Sequence, residues 1–196
     1  MISAMRLCLL TLALLLATLT EAGESHAQET NDENIPQVKL VTFGPGSAIF
    51  ERFSHNAIWI HDPSEPGRYQ DVAFNYGIFA FGGDFIPRFI RGTMRYWMDG
   101  EYAPAMLDAY ASHGRSVWIQ TLNIDPGKTR ILKAFLWNNA KPENRYYTYN
   151  YYTDNCSTRV RDALDLAVGG EIRRQTSERL TGRTYRHHTL RIMAEN

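Results

Sequence analysis

Short apolar runs broken by clusters of Gly, Pro and Asp divide the chain beyond residue 37 into strands and helices. Residues 38–43 read as a first strand, stopped by Gly44-Pro45-Gly46, and residues 48–53 as a helical turn. Residues 56–61 predict a second strand, closed by the turn cluster Asp62-Pro63-Ser64-Glu65-Pro66-Gly67, with residues 71–77 as its hairpin partner. A short amphipathic helix is expected over 85–90, a strand over 94–98, a helix over 103–112 and a strand over 116–122. Residues 128–139 read as a helix with Ile131, Phe135 and Leu136 on one side. The Tyr-rich stretch 146–152 reads as extended chain or loop leading into a helix that Gly169-Gly170 stop. Strands and helices interleave without a βαβ rhythm, so the fold class is α+β, an antiparallel sheet packed against helices.

The first 37 residues have a different pattern. Arg6 precedes residues 7–19, apolar apart from Thr11 and Thr18, and Ser25-His26-Ala27 sets small residues at the −3 and −1 positions of a cleavage site. Residues 1–27 are therefore expected to be a signal peptide, 28–37 a disordered polar lead-in, and 38–196 a single domain, periplasmic or secreted. No lipobox-like sequence follows Cys8, and no later segment approaches eighteen apolar residues, so no transmembrane segment is expected in the mature chain. Lys+Arg and Asp+Glu balance at 21 each, which argues against nucleic acid as a partner. Removal of the peptide leaves 169 residues, enough for one domain with a real core.

Processing would also leave Cys156 as the sole cysteine, because Cys8 lies in the expected peptide. An exported thiol without an intramolecular partner is buried, dimer-forming or chemically useful. Asp154 or Asn155 can cap a helix that starts near Cys156, which puts the sulfur in the first turn, where free N–H groups and the helix dipole favour an anion. Cysteines so placed can fall to a pKa of roughly 3.5–7.5. Cys156, Val160, Ala163, Leu164 and Ala167 share one helical face, a register that suits an inert core cysteine as well as a nucleophile.

A thiol nucleophile needs a base held by a third polar group. His187 and His188 are adjacent in a polar tail, His113 sits at a helix end before Gly114, and His61 ends a strand at a turn where exposure is expected. His55 differs, because it immediately precedes an apolar strand. The neighbouring strand offers Asn75 to orient its ring, with Asp71 as a weaker alternative. One Cys with scattered His residues has no metal-ligand spacing, so neither metal nor other cofactor is expected.

Phe53-Ser54-His55-Asn56-Ala57-Ile58-Trp59-Ile60, Phe74-Asn75-Tyr76-Gly77 and Asp154-Asn155-Cys156-Ser157-Thr158-Arg159, in that order, resemble the Lnb N-terminal periplasmic domain family of bacterial envelope proteins. A strand-borne His followed later by a helix-borne Cys also resembles circularly permuted papain-like, or NlpC-like, thiol enzymes and the lecithin:retinol acyltransferase class. The resemblance spans about residues 40–186. It implies Cys156 as nucleophile, His55 as base and Asn75 at the third position; beside them the Cys156 backbone N–H and the Asn155 side chain are expected to meet the oxyanion, with Asp154 and Ser157 in support. It further implies acyl transfer through a Cys156 thioester, as in lipoprotein N-acylation, with lipid or acylated envelope substrates, including lipoproteins, as partners. Chains of the family usually continue past the segment matching Thr184-Tyr185-Arg186 into membrane helices, whereas 191–194 offer no span, so the sequence reads either as a stand-alone paralogue with a soluble substrate or as a shortened product. Two other readings fit the same residues: a cysteine amidase or peptidase acting on cell-wall peptides, and a non-enzymatic envelope binding module.

Overall fold

Alternation along the strands decides which residues meet the helices on either side. The computed structural model describes residues 34–48 and 51–195; the expected signal peptide, most of the lead-in and part of the 48–53 turn lie outside the described residues. Six strands are described: β1 (Gln37–Phe43), β2 (His55–His61), β3 (Asp71–Ile78), β4 (Arg95–Tyr102), β5 (Val117–Leu122) and β6 (Tyr146–Thr148). They pair antiparallel in the order β5-β1-β2-β3-β4-β6. Among the described residues six α-helices and one 3-10 helix (Gly67–Gln70) accompany them: α1 (Phe85–Arg91), α2 (Ala103–Ser112), α3 (Pro126–Asn139), α4 (Cys156–Ala167), α5 (Glu171–Thr176) and α6 (Tyr185–Glu195). The class is α+β, as the hydropathy pattern predicts.

The sheet is covered on both faces. On one, Val38, Ile58, Ile60, Phe74 and Tyr76 pack with Leu132 and Leu136 of α3 and with Val160, Ala163 and Leu164 of α4. On the other, Val41, Phe43, Ala57 and Ala73 pack with Ala103 and Met106 of α2. The period of two along β1, β2 and β3 separates these sets. Two polar ties hold α3 in place: the Tyr76 hydroxyl donates to Asn139 Oδ1 at 2.8 Å, and Lys133 Nζ donates to Asp62 Oδ2 at 2.6 Å and Glu65 Oε1 at 2.5 Å.

Several expectations shift. The fourth strand runs on to Tyr102, because its second half pairs with Val72, Ala73 and Phe74 of β3. Part of the Tyr-rich stretch is strand β6, paired with Arg95, Tyr96 and Trp97. In α3 the buried stripe is Thr129, Leu132 and Leu136, while Ile131 points outward at 55% exposure. His187 and His188 lie in helix α6, in what reads from sequence as a polar tail.

Candidate active site

His55 opens β2 immediately after Ser54, whose backbone is left-handed at φ 60° although it has a side chain. Non-glycine residues pay for that conformation, and such outliers collect at functional sites. The imidazole lies beside a stacked pair of rings, Phe43 and Tyr110 of α2, whose centroids are 3.8 Å apart: it is 5.9 Å from Tyr110 at 2° and 6.0 Å from Phe43 at 21°. Asn75 on β3 fixes its rotation, since His55 Nε2 lies 2.6 Å from Asn75 Oδ1. The amide oxygen only accepts, so Nε2 carries the proton and Nδ1 is the basic nitrogen left for the thiol. Asn75 is itself 8% exposed, and its amide also bears on the ionisation of Glu101 of β4 and of Tyr110.

Cys156 reaches the same place from the opposite layer. It is a free, half-buried thiol at the first position of α4. The helix starts there because Asn155 completes a capping box: its Oδ1 accepts from Thr158 N at 3.0 Å, while Thr158 Oγ1 accepts from Asn155 N at 2.8 Å. Asn155 Nδ2 donates to Tyr151 O at 2.8 Å. Both ends of this amide are therefore engaged in holding the turn. Asp154 forms a two-point ion pair with Arg159, at 2.6 and 2.8 Å, and the guanidinium lies 4.1 Å from the centre of the Tyr147 ring. Ser157 Oγ sits 4.0 Å from Cys156 Sγ and donates to Asn56 Oδ1 at 3.4 Å.

Burial is the largest influence on the Cys156 thiol and pushes its pKa up. Hydrogen bonding and charge from His55, the Asn56 backbone N–H and the Ser157 hydroxyl together outweigh it, and the thiol is held below its ordinary value. The sulfur is thus poised to ionise next to an imidazole, the arrangement that activates thiol nucleophiles.

Three sequence-predicted residues, Cys156, His55 and Asn75, come together. Ser157 lies beside them, while Asn155 and Asp154 act on the helix start. Asp71 does not orient His55; it accepts from Trp59 Nε1 at 2.9 Å and pairs with His61 Nδ1 at 2.8 Å. That pairing also corrects the expectation for His61, which is half-buried, its side chain 28% exposed. His113 sits at the C-terminal end of α2 as expected, with Nδ1 2.7 Å from Ala109 O.

Sequence reasoning assigned no role to four neighbours, Gly77, Tyr147, Tyr149 and Tyr96. Gly77, at φ 91°, occupies an irregularity in the β3–β4 pairing; a Cβ built on it would lie 3.6 Å from Cys156 Cβ, 3.8 Å from His55 Cε1 and 3.9 Å from the Tyr147 hydroxyl. Its signal was a glycine closing an otherwise apolar strand. Tyr147 is 9% exposed, and its buried hydroxyl has no hydrogen-bond partner among the described residues. Tyr147, Tyr149 and Tyr96 all have phenols pushed up, first by burial, with Cys156 adding to the shift. A cleft of about 560 Å³ opens beside Glu101, Tyr102 and Tyr110; neither His55 nor Cys156 lines it.

The fold and this site define a class: an α+β domain in which a helix-borne cysteine faces a strand-borne histidine backed by an asparagine. The chain belongs to the Lnb N-terminal periplasmic domain family, whose family model matches residues 24–196. The family places the chain among periplasmic domains. No curated protein and no solved structure matches it.

Proposed function

We propose that this domain is a thiol-dependent acyl-transfer enzyme of the cell envelope that works through a Cys156 thioester. The observation that carries the reading is the lowered Cys156 pKa beside a His55 ring whose far nitrogen is fixed by Asn75 at 2.6 Å. His55 Nδ1 takes the thiol proton and Sγ attacks an acyl carbonyl to form a tetrahedral adduct. Its oxyanion is met by the free backbone N–H of Cys156 at the start of α4. Collapse breaks the bond to the leaving oxygen, which takes the proton from His55, and the thioester remains. An acceptor amine then attacks the thioester carbonyl and gives its proton to His55; the C–S bond breaks, and the thiolate departs. Water in place of the amine makes the same site a hydrolase.

His first and Cys later in the chain is the order of circularly permuted papain-like enzymes, and we take the architecture to be of that type. The aromatic surroundings of the thiol, with Tyr147, Tyr149 and Tyr96 near enough for its charge to push up their phenols, favour a fatty acyl group, such as that of a lipid or lipoprotein, over a polar stem peptide. The test is intact mass after incubation with envelope phospholipids or with muropeptides. A fatty-acyl increment on wild type that is lost in Cys156→Ala supports this reading. A peptidyl increment supports the amidase. No adduct with either substrate, together with a thiol that resists iodoacetamide at pH 6 until unfolding, overturns it in favour of a binding module.

A further inference from the structure

The segment 79–95 has more exposed apolar surface than its short helix needs for packing. Phe85 turns inward, whereas Phe81, Ile86, Phe89 and Ile90 are 69%, 61%, 53% and 78% exposed. Phe85 and Phe89, and likewise Ile86 and Ile90, are four residues apart and so adjacent on the helix surface. Ile86, Phe89 and Ile90 form an outward apolar stripe on this seven-residue helix, with Phe85 beneath them. Exposed apolar clusters of this kind rimmed by polar groups mark contact surfaces.

The rim is cationic. The segment contains Arg88, Arg91 and Arg95 against Asp84 alone, a net charge of +2. Arg88 is paired with Asp84, Arg95 lies over Tyr146 at 3.9 Å, and Arg91 is exposed beside Ile90. An apolar stripe flanked by arginines complements an anionic bilayer surface, where the arginines meet phosphates and the stripe enters the acyl boundary.

The stripe is braced on the core by a series of ring contacts. Phe89 stacks on Phe85 at 6.4 Å, Phe85 meets Phe79 at 6.1 Å, Phe79 meets Tyr96 at 5.0 Å and Tyr96 stacks on Tyr149 at 4.1 Å. We infer that α1 and the residues flanking it form a bilayer-docking surface for anionic phospholipid.

The experiment is co-sedimentation of the chain, purified from the periplasm of an expression host, with vesicles of phosphatidylcholine alone or mixed with phosphatidylglycerol. Wild type should partition onto the mixed vesicles, more weakly as salt rises. Ile86→Ser/Phe89→Ser/Ile90→Ser should lower the partition by about 50-fold. Arg91→Ala should lower it by about fivefold on the anionic vesicles and hardly at all on the neutral ones. Iodoacetamide labelling of Cys156 should be unchanged in both variants, which separates loss of docking from loss of the thiol site. If the triple variant fails to fold, Ile90→Ser alone should still cost about fivefold. Wild-type partition no stronger than that of the variants overturns the proposal. So does self-association that the triple variant abolishes without vesicle binding, which would assign the stripe to a second copy of the chain.

Discussion

The Cys156 thiol is held between two opposing influences, and removing one reveals the other. Burial raises its pKa, while His55, the Asn56 N–H and Ser157 lower it by more. The iodoacetamide rate of wild type should therefore rise with a midpoint below that of an ordinary thiol. His55→Ala should move that midpoint upward and slow labelling at pH 6 by about tenfold or more; an unmoved midpoint would mean that the imidazole does not govern the thiol. A group with a depressed pKa stabilises the fold fully above the unfolded value, about 8.5 for a thiol, and loses that contribution as pH falls through the folded value. Tyr147→Phe separates chemistry from stability in another way. Because the hydroxyl is buried and without a partner among the described residues, its removal should leave stability unchanged or raise it by up to about 1 kcal/mol, read by urea denaturation. A loss above that size would reveal a bonded hydroxyl. Cys156, His55 and Asn75 were legible because residue type and local context suffice to nominate a thiol, a base and an orienting amide. Tyr147 was not, since nothing in a run of tyrosines distinguishes the one whose hydroxyl is buried.

At the scale of elements, the site depends on how β3 ends and how α4 begins. Gly77→Ala would place a methyl in ordinary contact with Cys156 and His55, at 3.6 and 3.8 Å, so space is not the obstacle. The left-handed backbone at φ 91° is. The substitution should cost about 1–3 kcal/mol and slow thiol alkylation, whereas Gly114→Ala, at φ 71° but in open space, should cost stability alone. Equal alkylation rates in the two variants would show that the Gly77 backbone does not shape the thiol site. Asn155→Ala removes the cap and its bond to Tyr151 O, and should lower stability by about 1–2 kcal/mol in thermal or chemical denaturation. A neutral result would show that Asp154 and Arg159 hold the turn by themselves. The helix face from Cys156 to Ala167 was legible because its 3.6-residue period survives intact in the sequence. Ile131 misled because one apolar residue beside a true stripe shifts the apparent face by a third of a turn. Glu101 and Tyr110, which stand behind Asn75, depend on strand register and helix docking, which single-segment patterns do not encode.

At the scale of the whole molecule, the α3 layer is tied to the turn after β2 by Lys133 with Asp62 and Glu65. Burial raises the Asp62 pKa, but bonds from Lys133 and Ser64 outweigh it, and the carboxyl is held below its ordinary value. The contribution is present above about pH 4 and is lost as pH falls through the lowered value. Asp62→Asn should therefore flatten the acid side of the Tm–pH profile, and an equally steep acid loss in the variant would assign it to other carboxylates. The α+β class was legible because elements announce themselves locally. The sheet order was not, because β5 closes against β1 across more than seventy residues of intervening chain.

His55 and Asn75 belong to the sheet face that packs on α2, whereas Cys156 arrives with the helix layer on the other face. The thiol consequently has no special acidity until α4 has docked on the sheet beside His55. An unfolded chain carries a sulfur of ordinary acidity, less nucleophilic at neutral pH than the folded one. The alkylation rate of one atom therefore doubles as a readout of whether α4 and the sheet have met.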